Sequence, residues 1–151
     1  MKNKLIPFLI PNTWMSFSCE HGYANGYVAI PPTHPCYGKH YMEIPIEVHG
    51  GLTFSEFATI KEYAPDSERQ HKPEAVGKSA FNEKILSNAI FLTDVKTIPP
   101  DHFIVGFDTA HYGDTEDSCD FEFCKRETFN LATQLEEICE FESQNRNKHK
   151  K

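Results

Sequence analysis

The period of the hydrophobic pattern changes near residue 125, and this change limits the folds that the chain can adopt. Beyond that point Leu131, Leu135 and Ile138 recur at i, i+4 and i+7, a spacing that predicts an amphipathic helix. The apolar runs before it are short, which is typical of strands. We therefore predict an α+β fold, a mainly antiparallel sheet with a C-terminal amphipathic helix packed on it.

Six short runs predict the strands of this sheet. The apolar run FIVGF at residues 103–107 suits a buried central strand. Residues 43–49 alternate isoleucine or valine with polar residues, which predicts a half-buried strand, and Pro45 places that strand at an edge or a bulge. The other predicted strands cover residues 5–10, 13–18, 26–30 and 90–93.

The chain has 151 residues, enough for one domain with a core that needs no disulfides. We predict a single domain over residues 1–143 and a frayed basic tail at 144–151. The polar stretch 58–89 is predicted to be an excursion or insertion, with a short helix near 80–86.

Charge and cysteine content exclude several classes of partner. The net charge of −7 argues against an extended nucleic acid as partner, because phosphates need a basic face, but a local pocket can still hold a small anion. Five cysteines without a CxxC pair indicate reduced thiols. No apolar stretch approaches ~20 residues, so we expect no membrane partner and a cytoplasmic location.

Three polar clusters at predicted strand ends or loops combine histidine or aspartate with glycine. They are HPCYG at 34–38, HGGLT at 49–53 and DTAHYGD at 108–114. Each cluster by itself could be only a turn or a bulge. Together they predict a ligand site, because rigid strand ends hold side chains in place. The residues that we expect to contact a ligand are His34, Tyr37, His49, Gly50, Gly51, Thr53, Asp108, His111 and Asp114.

Two chemistries fit these clusters. In the first, Gly50 and Gly51 let the backbone approach an anion, at least one of them with a positive φ. Asp108 would then accept a hydrogen bond from a ribose hydroxyl, and Tyr37 or Tyr112 would stack on an aromatic ring, so that the pocket suits a nucleotide. No cofactor is expected in this interpretation.

In the second chemistry the clusters form a hydrolase. His34, His49, Asp108 and His111 would supply nitrogen and oxygen ligands for zinc or manganese, although no strong signature such as HExxH is present. The catalytic residues would be His49, Asp108 and His111, with or without a metal-activated water. A further interpretation makes Cys36 a nucleophile with a neighbouring histidine as base.

The blocks GYVAIPPTHPCYGKHY, IEVHGGLTF and FIVGFDTAHYGD occur in this order along the chain. In this they resemble a family of small proteins common in bacteriophages and bacterial genomes, with the pattern GYVxxPxxHPxYG, VHGGLTF and GFDxAHxGD. The resemblance covers residues 26–54 and 103–114. It implies that the three blocks form one unit, and it implies no particular activity. Small phage proteins of this kind sometimes sequester or degrade host immune nucleotide signals.

Three functions follow as hypotheses. The first is a binding protein that sequesters a nucleotide-derived or similarly polar anionic molecule, as a homo-oligomer in the cytoplasm, or in the host cytoplasm if a phage encodes it. The second is a hydrolase, metal-assisted in one version, with a nucleotide-like substrate. The third is a protein-interaction module without a small ligand.

Overall fold

A computed structural model of the chain describes residues 4–12, 20–61, 77–79, 81 and 83–148. In these residues the fold is α+β, as the sequence predicts. The strands are β1 (Ile6–Pro11), β2 (Ala24–Ile30), β3 (Phe54–Phe57), β4 (Thr59–Lys61), β5 (Gly77–Ser79), β6 (Ile90–Phe91) and β7 (Phe103–Phe107), and the helices are α1 (Glu83–Leu86) and α2 (Phe121–Lys148).

Five strands form one sheet in the order β3-β7-β2-β1-β6, and each neighbouring pair is antiparallel. All five residues of β7 are buried, because β7 lies between β2 and β3 and both of its faces are covered. Strands β4 and β5 pair with each other in a separate ribbon.

Helix α2 covers one face of the sheet. Val28 and Val105 point to this face and form a buried cluster with Leu131 and Leu135 of the helix. Full burial of each such side chain stabilises the fold by about 1.5–3 kcal/mol. The helix begins at Phe121, four residues earlier than the pattern predicts, because the Asp120 carboxylate accepts a hydrogen bond from the Phe123 N–H at 2.9 Å.

The opposite face of the sheet carries an aromatic cluster. Phe8 stacks on Tyr27 with ring centroids 5.5 Å apart, and Phe81 contacts both rings edge-on. The sheet is therefore buried on both faces, by α2 on one and by residues from the 81–98 segment on the other.

The prediction of a strand at residues 43–49 is wrong, although the burial pattern behind it is right. Ile44 and Ile46 are buried while their neighbours are exposed. The backbone of this segment, however, forms hydrogen bonds with side chains of α2 and not with the backbone of a neighbouring strand. The Glu47 N–H donates to Gln134 Oε1 at 2.9 Å, and Gln134 Nε2 donates back to the Glu47 carbonyl at 2.7 Å. A glutamine amide offers both a donor and an acceptor, so it replaces a ladder pair.

Other predicted elements differ in extent. The predicted strand at 13–18 and most of the stretch 58–89 lie outside the described residues. Helix α1 is shorter than the predicted 80–86, and β6 is shorter than the predicted 90–93. Helix α2 continues to Lys148, past the expected domain boundary at 143. None of the described helices has the length and apolar character that crossing a membrane requires.

Candidate functional site

The carboxylate of Asp114 joins two of the three sequence clusters. Its Oδ1 lies 2.9 Å from His49 Nε2, and its Oδ2 accepts the His111 backbone N–H at 2.9 Å and lies 3.0 Å from His111 Nδ1. The side chain is 8% exposed. Burial opposes its ionisation, but the hydrogen bonds from His111 and His49 outweigh burial, so the pKa of this carboxyl lies below its usual value.

His111 lies between two carboxylates. Its Nδ1 faces Asp114, and its Nε2 lies 3.3 Å from Asp108 Oδ1. Asp108 follows the last residue of β7, and its Oδ1 also accepts the Ala110 N–H at 3.2 Å. The turn after β7 thus brings Asp108, His111 and Asp114 together, with His111 between the two carboxylates.

The two glycines after His49 have different roles. Both have positive φ, +69° at Gly50 and +83° at Gly51, as the sequence predicts for at least one of them. A Cβ at Gly50 would overlap the His111 imidazole, 2.9 Å from Nδ1 and closer still to Cε1 and Nε2. Nothing lies within 4 Å of a Cβ at Gly51. Gly50 therefore makes room for a histidine of the site, and Gly51 is needed only for its backbone conformation.

Helix α2 fixes the position of His49. The His49 backbone N–H donates to Glu127 Oε1 at 2.9 Å, and the His49 ring packs edge-on against Phe123 with centroids 5.2 Å apart. The ring of His111 lies 5.4 Å away. Glu127 and Phe123 were not among the predicted site residues, because no local signal connects a residue inside a helical pattern to the HGGLT block elsewhere in the chain.

A buried cysteine borders the same cluster. Cys119 Sγ lies 3.8 Å from His49 Nε2, and the residue is 1% exposed. Burial raises the pKa of the Cys119 thiol, and the nearby Asp114 carboxylate raises it further, against a hydrogen bond with Ser118 that lowers it. The protonated thiol is a poor nucleophile.

His34 lies apart from this cluster, in contrast to the sequence prediction. Its Nδ1 accepts the Cys36 N–H at 3.0 Å, which leaves Nε2 to donate to the Leu135 carbonyl at 2.8 Å. Burial lowers the pKa of His34, consistent with this neutral tautomer. The side chain ties the proline-rich loop to α2. Cys36 is also buried, and burial raises the pKa of its thiol, which disfavours the interpretation of Cys36 as a nucleophile.

Tyr37 lies near the other end of β7. Its ring contacts Phe57 and Phe103, and its hydroxyl donates to the Asp101 carbonyl at 2.6 Å. Phe103 begins β7, so the strand separates Tyr37 from the Asp108 end by about 13 Å. The Tyr37 ring is therefore not in place to stack on a ligand at the histidine cluster. The Thr53 N–H donates to the Gly106 carbonyl at 2.9 Å, which extends the β3–β7 pairing, and its side chain is exposed.

Within the described residues, one group can hold a metal ion through three side chains. His49, His111 and Asp114 each offer a ligand atom, and these atoms lie within 4.8 Å of one another. The predicted metal set was His34, His49, Asp108 and His111. His34 and Asp108 are not in this group, and Asp114, which was not in the predicted set, is. The histidine side chains are 26% and 34% exposed, so solvent reaches the group.

The surface beside the cluster is acidic. A depression of about 340 Å³ adjoins Asp114 through its neighbour Thr115. It is lined by Glu20, His21, Thr115, Glu116 and Asp117. An anionic ligand would meet like charge here unless a cation accompanied it.

A second cavity, of about 360 Å³, lies on the sheet face opposite α2. Phe81, Phe91 and Ile104 contribute to its mainly apolar wall. None of the residues predicted to contact a ligand lines it.

No protein-family model, no curated protein and no solved structure matches this chain.

Proposed function

We propose that the chain is a hydrolase with a small, polar, anionic substrate of the nucleotide-derived type. The observation that carries the proposal is the sharing of one buried carboxylate, that of Asp114, by two partly exposed histidines, His49 and His111. A carboxylate that fixes the orientation of an imidazole is a recurring feature of acid–base sites.

The two histidines can divide the proton transfers of a hydrolysis. The neutral ring of one accepts a proton from water while the protonated ring of the other donates to the leaving group. Their ring centroids are 5.4 Å apart, which lets one substrate group contact both. Asp114 holds His111 through Nδ1, so that Nε2 is directed to the Asp108 side, where substrate would enter.

The choice of hydrolysis by activated water over covalent catalysis rests on the thiols. Cys119 Sγ lies 3.8 Å from His49 Nε2, and burial raises the pKa of this thiol, which disfavours the thiolate form. The choice of a nucleotide-derived substrate follows the analogy with small phage proteins that sequester or degrade host immune nucleotide signals.

Turnover of defined nucleotides tests this proposal. The full-length protein is incubated with mononucleotides, linear dinucleotides and cyclic dinucleotides, and products are identified by liquid chromatography and mass spectrometry. We expect cleavage of one of these classes, with kcat reduced at least about 100-fold in His49→Ala and in His111→Ala.

His102→Ala is the matched control. His102 also lies beside a carboxylate, with its Nδ1 2.8 Å from Asp101 Oδ1, but that pair is not part of the Asp114 cluster. Its replacement should leave kcat unchanged. Absence of turnover with every nucleotide class would reject the hydrolase.

Sequestration without turnover is the second candidate. The partial burial of His49 and His111 favours it, because half-buried polar groups gain binding energy when a ligand pairs with them. Recovery of an intact nucleotide from the denatured complex would establish this function in place of hydrolysis. If the protein neither binds nor cleaves a nucleotide, the protein-interaction module remains.

We also propose a cytoplasmic homo-oligomer, located in the host cytoplasm and active in counter-defence if a phage encodes it. Cys36, Cys119 and Cys124 are buried and form no disulfide, which fits a reducing compartment. Exposed aromatic side chains on α2, Phe129 and Phe141, supply a surface for self-association. Native mass spectrometry of the purified protein tests the subunit number.

A further inference from the structure

We infer that His49, His111 and Asp114 bind a divalent metal ion that prefers mixed nitrogen and oxygen ligands, of the zinc or manganese class. The inference rests on the proposed function, since the ion would serve the same site and substrate.

The spacing of the three side chains supports the inference. Their ligand atoms lie within 4.8 Å of one another, whereas ligands about 2.0–2.1 Å from a tetrahedral zinc are roughly 3.3 Å apart. The two histidines already contact the Asp114 carboxylate through different oxygens, with Oδ1 2.9 Å from His49 Nε2 and Oδ2 3.0 Å from His111 Nδ1.

Asp108 supplies a second supporting contact. A histidine that binds a metal through one ring nitrogen usually donates its other N–H to a carboxylate, which fixes the ring and its tautomer. In His111, Nδ1 lies in the cluster and Nε2 lies 3.3 Å from Asp108 Oδ1, which is near enough for this bond to form once Nδ1 holds the metal. The DTAHYGD block thus contains a ligand, a carboxylate that orients it and a second ligand.

Electrostatics point in the same direction. With neutral histidines, Asp108 and Asp114 leave the cluster with two negative charges, and Glu116 and Asp117 add to them nearby. A divalent cation offsets the charge of the cluster, so that an anionic substrate can approach. Bound there, it would supply a water of lowered pKa for hydrolysis, in place of the proton transfers that His49 and His111 could carry out without a metal. Three protein ligands leave a coordination position for that water.

The test uses the full-length protein, freed of metal with EDTA and then titrated with Zn²⁺ and separately with Co²⁺. We expect one equivalent of Zn²⁺ per chain, a raised melting temperature and visible absorption bands from protein-bound Co²⁺. His111→Ala and His49→Gln should each weaken Zn²⁺ binding by at least about 10- to 100-fold. His102→Ala, which changes a histidine–carboxylate pair outside the cluster, should bind Zn²⁺ like the wild type.

Circular dichroism of each metal-free variant establishes that it is folded. Two different histidine variants are used, so that the test can still be made if one of them misfolds. The inference is overturned if the folded wild type takes up less than a tenth of an equivalent of Zn²⁺, or if both histidine variants bind it as the wild type does. Zn²⁺ binding without nucleotide cleavage supports the metal site and rejects the hydrolase. Undiminished cleavage after EDTA treatment supports the hydrolase and rejects the metal site.

Discussion

Gly50 lies against the imidazole of His111, so closely that a Cβ on the glycine would overlap the ring. This contact joins the HGGLT block to the DTAHYGD block and places His49 and His111 around the same carboxylate. The sequence suggests that Gly50 leaves space for a ligand. In the structure the His111 ring fills that space.

Gly50→Ala should damage the site more than Gly51→Ala does. Both replacements force alanine into a positive φ, at a cost of about 1–2 kcal/mol. Only the alanine at position 50 also displaces the His111 ring, because the space at Gly51 is open. Urea denaturation and nucleotide turnover of the two variants would be compared. Equal effects of the two substitutions would show that the Gly50–His111 contact has no importance for the site.

Asp114 should stabilise the protein at neutral pH and lose this contribution in acid. Its folded-state pKa lies below that of an unfolded aspartate, about 3.9, so the contribution is complete above that value and is lost as the pH falls through the folded-state pKa. Asp114→Asn should lower the free energy of unfolding by about 1–3 kcal/mol at pH 7. Urea melts from pH 7 to pH 2 measure the difference from wild type. It should shrink below about pH 4, and a constant difference would contradict the role of the charge.

His34 should prove to be a structural residue. Its replacement by alanine leaves the Cys36 N–H and the Leu135 carbonyl without their partner, at a cost of about 1–3 kcal/mol. Because burial lowers the pKa of His34, the unfolded chain takes up a proton before the folded one does. Stability should therefore fall as the pH drops below about 6.5, and His34→Ala should reduce this dependence.

Zn²⁺ affinity of His34→Ala, measured at a temperature where the variant is folded, provides the contrast with the site residues. It should equal that of the wild type. A loss of Zn²⁺ affinity comparable to that of His111→Ala would show that His34 belongs to the site.

Glu127 should act as a positioning residue through the His49 backbone. Glu127→Ala removes the acceptor of the His49 N–H, while Glu127→Gln retains a side-chain oxygen at the same place. We expect the alanine variant to lose about 1 kcal/mol of stability and to have a lower kcat, and the glutamine variant to recover kcat. Equal kcat values for wild type and the alanine variant would contradict this role.

Several features were predictable because they depend on local periodicity. The buried run 103–107 became the interior strand β7, and the helical spacing placed Leu131 and Leu135 against the sheet. The spacing of Asp108, His111 and Asp114 after that strand could be recognised as a cluster for the same reason, since a tight turn keeps residues three apart on one side.

The sequence by itself determined which side chains are buried and which strand end is rich in polar groups. Only the tertiary structure decided their partners. The alternation at residues 43–49 indicates which side chains are buried, but it does not indicate what the backbone bonds to. The backbone of Glu47 bonds to the side chain of Gln134 in α2 and not to a neighbouring strand. His34 and His49 occur in similar glycine-containing blocks, yet one meets a helix carbonyl and the other a carboxylate. The physical reason is that periodicity is a property of one segment, whereas a hydrogen bond between two segments depends on how the fold places both of them.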